Sequence, residues 1–302
     1  MTGQTPARRV NRAWLILAAC LLALAALFAL GTWQRAPLEA RPALWQVTGP
    51  RGETAWLFGT IHAAPSPLAW QTEPVRAAVD ASDQIIVEVA NLADEKAVSA
   101  AFQALSRRQG LPPVTQRVAP ERRQALATLL NDRGLDDAAL RDVETWAVAL
   151  TLARPGNPAD ARNGVDRAVI AAAGMRPVIE LEGAPRQLAI FDGLPETEQR
   201  DLLEAVLADA GALDEGGTDL LDTWRRGDMA RIEAETRTGL LADPELREAL
   251  FTGRNRRWVV RIEEELRRGH RPFVAVGAAH MAGPEGLPAL LQAAGYTVKR
   301  VN

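Results

Sequence analysis

The chain has 302 residues, of which 47% are hydrophobic and 24% charged, so it can bury a core and wholesale disorder is excluded. Its 35 Lys and Arg residues stand against 38 Asp and Glu residues, and the net charge of −3 leaves no basic excess for binding a nucleic acid. The only cysteine, Cys20, excludes an intrachain disulfide framework and a zinc site built from thiolates.

An uncharged apolar run of 18 residues extends from Ala13 to Leu30. As a helix it would reach roughly 27 Å, close to the hydrocarbon thickness of a bilayer. The arginines that precede it keep the N-terminus in the cytoplasm by the positive-inside rule. We therefore predict a cytoplasmic segment over 1–12 and a transmembrane anchor over 13–31. The remaining domain would be extracytoplasmic, and periplasmic if the cell has an outer membrane.

Other interpretations of this segment stay open. A cleaved signal peptide fits the basic start, although the apolar run is long for one and no clear A-x-A site follows at once. Lipidation at Cys20 fits the sequence from Leu17 to Cys20, which looks like a lipobox, although the apolar run continues ten residues past it. A buried core helix fits poorly, because the run is apolar on every side and arginines flank it.

After a linker over 34–42, short β-rich runs alternate with helical patterns. The turn-forming residues between 44–48 and 54–58 predict a β-hairpin. Further strands are predicted over 84–89, 176–181, 272–276 and 296–301. Helices are predicted over 120–130, 137–152, 165–173, 197–210, 243–251 and 256–268.

This order of elements predicts an α/β domain over 43–302, with α+β as the alternative. The strands near both ends would form a mixed central sheet. The mostly helical middle, about residues 93–250, would form a lobe over that sheet. No second domain boundary is indicated.

Two of the three histidines occupy the same sequence context. His62 and His280 each end a Gly-x-x-His motif that follows an apolar strand and precedes a turn rich in Pro and Gly. Glycine lets the backbone leave the sheet sharply and carries the histidine just beyond the strand, where open α/β sheets build their sites. If the two strands are neighbours, the imidazoles meet; otherwise each histidine caps its own strand. His270, in a turn among arginines, is expected to be solvated.

Glu88 interrupts an apolar strand that is expected to be buried on both faces. A carboxylate there needs a partner, because an unpaired buried charge costs on the order of several kcal/mol. The residues alone support two interpretations equally: an ion pair with one of the many arginines, or a metal ligand or general base.

Further motifs share an order along residues 43 to 302. They are Leu44-Trp45, Leu57 to His62, the strand with Glu88, Gly164-Val165-Asp166, Leu181-Glu182-Gly183 with Gln187, Trp224 with Gly227-Asp228, Arg254-Asn255 with Trp258, and Val276 to Gly283. Together they resemble the TraB/GumN family, which includes the Tiki-type membrane proteases and the pheromone-shutdown proteins.

The resemblance implies a centre for divalent-metal binding and catalysis, made of His62, His280 and Glu88. It places Arg254 and Asn255 in a further motif that faces the same site. We therefore predict metal-assisted hydrolysis of a bond in a peptide or protein, with Glu88 as third ligand or as base to the bound water. Arg254 would neutralise the oxyanion and Asn255 would hold substrate or a ligand. This donor set suits Zn, Mn, Co or Fe.

Nearby acidic residues have structural interpretations as well. Asp166 heads an apolar helix and is expected to act as a first-turn anion. Glu180 and Glu182 flank Leu181, so one of them is expected to face inward, in an ion pair or beside a metal ligand. Two rival functions remain: a non-catalytic protein that sequesters an extracytoplasmic peptide, and a structural envelope domain without a pocket. The sequence leaves the oligomeric state open.

Overall fold

A computed structural model describes residues 37–91, 94–154, 158–214 and 220–302. The predicted cytoplasmic segment (1–12) and anchor (13–31) lie outside these ranges. Among the residues described, no helix combines the length and the apolarity that crossing a membrane requires. Residues from Leu38 to Asn302 form one compact unit.

The strands are β1 (Leu38–Glu39), β2 (Leu44–Thr48), β3 (Thr54–Thr60), β4 (Leu68–Ala69), β5 (Gln84–Val87), β6 (Val178–Glu180), β7 (Pro272–Gly277) and β8 (Thr297–Arg300). The α-helices are α1 (Glu73–Ala81), α2 (Glu95–Leu105), α3 (Arg123–Asp132), α4 (Thr145–Leu152), α5 (Pro158–Arg162), α6 (Val165–Ala171), α7 (Ala184–Asp192), α8 (Glu196–Asp214), α9 (Leu220–Arg225), α10 (Met229–Glu235), α11 (Pro244–Arg247), α12 (Gly253–Arg267) and α13 (Leu287–Ala293). Short 3-10 turns lie at Val114–Gln116, Pro120–Arg122, Gly239–Ala242 and Ala278–Met281, and a π-helical turn lies at Glu248–Thr252.

Six strands form one mixed sheet in the order β6-β5-β7-β3-β2-β8. The first four are parallel to one another, and β2 is antiparallel to both β3 and β8. This confirms the predicted mixed α/β fold and the predicted hairpin, which is β2 and β3. The short strand β1, inside the predicted linker, pairs with β4 in a separate two-stranded sheet.

Helices cover both faces of the sheet. Successive residues of a strand point to opposite faces, so Phe58 packs on the side of α1 and α6, while Leu57 packs on the side of α12 and α13. Both faces are therefore apolar, which explains why the central strands read as continuous hydrophobic runs.

The predicted helical middle is present and has an apolar core of its own, built from α3, α4 and α8 around Trp146. The predicted helix over 137–152 is wrong in its first half, because only α4 is helical. The carboxylate of Asp137 accepts hydrogen bonds from the N–H groups of Val114 and Thr115 and from the hydroxyl of Thr115. The fully buried Arg117 binds backbone carbonyls between 140 and 143. These tertiary bonds replace those of a continuous helix.

Candidate functional site

The two Gly-x-x-His motifs lie on neighbouring parallel strands. In the pairing of β3 with β7, Gly59 lies opposite Val276 and Thr60 opposite Gly277, so the motifs leave the sheet at the same edge, one residue out of step. A Cβ on Gly59 would lie 2.9 Å from Cα of Ala278, so this close approach of backbones requires glycine. The two motif strands are therefore neighbours, which is the condition that the sequence analysis set for the two imidazoles to meet.

A cavity of about 650 Å³ opens at this edge. Four of the five predicted site residues line it: His62, Glu88, Arg254 and His280. The fifth, Asn255, does not line the cavity and is fully buried behind His280.

Glu88 follows β5 and is 8% exposed. Its Oε1 accepts a hydrogen bond from the N–H of Gly277 (2.8 Å), and its Oε2 accepts bonds from Arg254 Nη2 (2.7 Å) and Gln187 Nε2 (2.9 Å). Burial opposes ionisation, but the positive charges of Arg254 and His62 and the N–H of Gly277 lower the pKa of Glu88 below its ordinary value. The carboxylate is therefore ionised and paired with an arginine, as one of the two sequence interpretations held, and it still faces the cavity.

Arg254 lies in α12 with all three guanidinium nitrogens engaged. Nε lies 3.1 Å and 3.2 Å from the two carboxylate oxygens of Glu182, and Nη2 lies 2.8 Å from Glu182 and 2.7 Å from Glu88. Nη1 donates to the carbonyl of Leu250 and lies 3.4 Å from Nε2 of His280. The predicted stabilisation of an oxyanion by Arg254 therefore requires one of these bonds to open.

His280 is held by aromatic rings and by one amide. Its ring lies 4.4 Å from that of Trp258 and 5.4 Å from that of Phe251, between centroids. Nδ1 lies 2.6 Å from Oδ1 of Asn255, whose Nδ2 donates to the carbonyl of Glu285 (2.7 Å). Since the amide oxygen only accepts, Nδ1 carries the proton and Nε2 keeps its lone pair. Burial lowers the pKa of His280 to about 3, so the ring is neutral. Asn255 thus orients His280 and does not contact the cavity.

His62 is 72% exposed and is oriented by Asp166. Nδ1 lies 2.7 Å from Oδ2 of Asp166, and this hydrogen bond raises the pKa of His62 to about 9. The contact depends on local backbone geometry. The N–H of Val165 donates to the carbonyl of Ile61 (2.8 Å), and a Cβ on Gly164 would collide with the His62 backbone.

Sequence reasoning missed several of these partners. Asp166 does lie in the first turn of α6, as predicted, but its contact with His62 was not foreseen. Of the two acids around Leu181, it is Glu182 that faces inward, binding Arg254 and accepting from Trp258 Nε1 (3.1 Å). The available signal was their place in the motifs that carry the family resemblance.

The imidazole nitrogens and carboxylate oxygens at the site are atoms of the kind that bind a divalent metal. Both imidazoles are hydrogen-bonded at Nδ1 by a separate polar side chain, which is the usual support of metal-binding histidines. A metal would have to displace the proton that His62 holds up to a pKa of about 9, and the carboxylates of Glu88, Glu182 and Asp166 would then leave two negative charges that Arg254 does not compensate.

The geometry is not that of a preformed metal site. In the part of the chain that is described, Glu198, Asp243 and Glu245 form the one group of three whose ligand atoms all lie within 4.8 Å, and His62, Glu88 and His280 do not form such a group. The guanidinium of Arg254 bridges Glu88 and His280 instead.

Comparison with known proteins identifies a family but no individual related protein. The model of the TraB/PrgY/gumN family matches residues 43–300, which confirms the resemblance drawn from the motifs. No curated protein and no solved structure matches the chain.

Proposed function

The chain belongs to the TraB/PrgY/gumN family, and from this premise we propose that it is a metal-dependent hydrolase, a peptidase held at the outer side of a membrane by residues 13–31. One observation carries the proposal. Two imidazoles from neighbouring parallel strands line one cavity with the ionised Glu88, and each imidazole is held at Nδ1 by its own polar partner.

His62 and His280, through Nε2, and Glu88 would hold the divalent cation, which supplies an activated water and polarises the substrate carbonyl when bound. The lowered pKa of Glu88 makes this carboxylate a weak base, so we assign it the role of ligand. Arg254 must release His280 Nε2 for all three to bind one cation, and Glu182 would keep the guanidinium in place beside the reacting carbonyl.

A second candidate is a non-catalytic protein that binds and sequesters a peptide. The observation in its favour is the same guanidinium, which satisfies Glu88 and reaches His280 Nε2 without any metal. A sequestering protein could keep this arrangement unchanged while a peptide occupies the cavity.

Metal content separates these functions. The full-length chain and the His62→Ala/His280→Ala double variant would be assayed for bound metal, then incubated with a peptide library and Mn, Co or Zn. His270→Ala is the matched control, because this third histidine pairs with Glu265 away from the cavity. We expect about one metal ion per chain and peptide cleavage in the wild type and the control, and neither in the double variant.

Other outcomes assign the alternatives. Peptide binding without cleavage under every metal would support sequestration. Absence of both metal and peptide binding would contradict both functions and leave a structural role. The location is tested by a reporter fused after Asn302, which should be active only outside the cytoplasm; cytoplasmic activity would reverse the proposed topology.

A further inference from the structure

The cavity beside His62, Glu88 and His280 extends well beyond these polar groups. Most of its remaining wall is aliphatic or aromatic, and six of these residues come from α4, α7, α9 and α10. These residues are Leu150, Leu188, Phe191, Leu220, Trp224 and Ile232. The cavity thus combines polar groups at the sheet edge with a wall that is mostly apolar.

Two aromatic residues make this wall rigid. The indole Nε1 of Trp224 donates to the carbonyl of Gly59 (2.8 Å), which fixes the ring at the end of β3. The ring of Phe191 stacks on that of Trp146, with centroids 6.2 Å apart. An apolar ligand therefore meets a surface that is already ordered, and binding costs less conformational entropy than at a mobile surface.

Charge at the lining argues against an anionic ligand. Among the described lining residues, Arg254 is the one Lys or Arg, and its three nitrogens are bound to Glu88, Glu182, His280 and Leu250. The lining acids are paired as well, Glu88 with Arg254 and Glu235 with Arg231. The other lining cation, His62, is paired with Asp166. A phosphate or an acidic side chain would therefore have to compete with carboxylates that already hold both cations, whereas a neutral chain would meet no penalty of this kind.

Size also sets the kind of ligand. A volume of about 650 Å³ lies within the range of roughly 300–1,000 Å³ that is typical of small-molecule sites, enough for a few residues of a peptide. Each Leu- or Phe-sized side chain buried there would tighten binding by about tenfold or more.

We propose that the apolar part of this cavity selects a neutral peptide segment by its bulky aliphatic or aromatic side chains and so presents the neighbouring peptide bond to His62, Glu88 and His280. The selectivity of binding stands on the cavity itself, and the fate of the bond rests on the proposed function.

Binding in the presence of a chelator separates the two, since no metal-dependent cleavage then occurs. Two fluorescent ten-residue peptides of zero net charge would be titrated with the full-length chain. The detergent that solubilises the chain, without protein, serves as the blank. One peptide carries Leu and Phe at alternate positions, and the other carries Ser and Gln there. Leu220→Asp tests the wall, because Leu220 lines the cavity yet is 56% exposed, so the fold should tolerate the change. Val260→Asp is the matched control, 52% exposed on α12 and not part of the lining.

We expect the wild type and Val260→Asp to bind the Leu/Phe peptide at least about tenfold more tightly than the Ser/Gln peptide. Leu220→Asp should lose about tenfold in affinity for the Leu/Phe peptide alone. Equal affinity for the two peptides, or equal losses in the two variants, would overturn the inference. So would a neutral or fatty-acid lipid that displaces the peptide and binds more tightly, which would assign the cavity to an acyl chain. Selective binding without cleavage when metal is restored would uphold this inference and reject the hydrolase.

Discussion

Nδ1 of His62 lies 2.7 Å from Oδ2 of Asp166, which is 104 positions further along the chain. The carboxylate orients the ring and favours its protonated form, so Nε2 must lose a proton before it can bind a metal. Asn255 orients His280 through the same ring nitrogen, Nδ1, while Nε2 of His280 lies beside Arg254. The two histidines are thus oriented alike but charged differently, since an anion supports one and a neutral amide supports the other.

Asp166→Asn should lower the pKa of His62 from about 9 toward its ordinary value, because the amide keeps the hydrogen bond and removes the charge. Histidine ring signals followed by NMR over pH 5 to 10 measure this directly. Metal affinity should fall about 10- to 100-fold, as is usual when the partner of a metal-binding histidine is removed. Asp80→Asn, at an exposed carboxylate that pairs with Arg176, should change neither quantity.

The same pair gives metal-free protein a dependence of stability on alkaline pH. The pKa of His62 is higher in the folded state (about 9) than its ordinary value of 6.5, so the pair contributes fully below pH 6.5. Its contribution is lost as pH rises through 9. The urea midpoint should therefore drop over this window in the wild type and drop less in Asp166→Asn. The effect should be small, because water screens an imidazole that is 72% exposed.

His280 gives the opposite dependence in acid. Its pKa is lower in the folded state (about 3) than its ordinary value of 6.5, so the unfolded chain takes up a proton that the native protein refuses. The free energy of unfolding should fall as pH drops from 6.5 to 3, with a slope from this residue of about 1.4 kcal/mol per pH unit. His280→Gln should flatten the slope. An unchanged slope in His280→Gln would mean that the ring is not held neutral.

The fold and the adjacency of the two Gly-x-x-His motifs could be predicted because their signals are local. Apolar runs flanked by turn residues predicted β2, β3 and β7, and glycine before histidine predicted where the chain leaves the sheet. The partners of charged side chains could not be predicted. No local pattern says that Arg254, out of many arginines, pairs with both Glu88 and Glu182. The broken helix before Thr145 has the same cause, since distant groups bind its backbone.

Glu182→Gln should destabilise the protein by about 3–5 kcal/mol. The amide can still accept from Trp258 Nε1, so the packing survives, but Arg254 loses one of its two buried counter-charges. Urea unfolding would measure the loss. Glu180→Gln is the control, because Glu180 is exposed. Within the described part of the chain, its carboxylate accepts a hydrogen bond from the N–H of Ala90 and pairs with no arginine. Similar stability in both variants would show that Glu182 is not needed to compensate Arg254.

Replacing each of the two motif glycines by alanine should affect a different property of the protein. At Gly59, the new Cβ would lie 2.9 Å from the backbone Cα of Ala278, so the ends of β3 and β7 must separate, at a cost of about 1–3 kcal/mol. At Gly277, φ is −48° and ψ is 135°, which alanine adopts without strain. There the Cβ would lie 3.3 Å from Glu88 Oε1 and 3.7 Å from His280 Cδ2.

Gly277→Ala should therefore keep most of the stability and weaken metal binding, because the methyl group crowds two of the proposed ligands while the fold tolerates it. The main effect of Gly59→Ala should be a lower urea midpoint of unfolding. Urea unfolding and metal content, measured on both variants, separate the two effects. If Gly277→Ala binds metal as the wild type does, Glu88 and His280 do not share a cation at this edge of the sheet, and sequestration becomes the better account of the cavity.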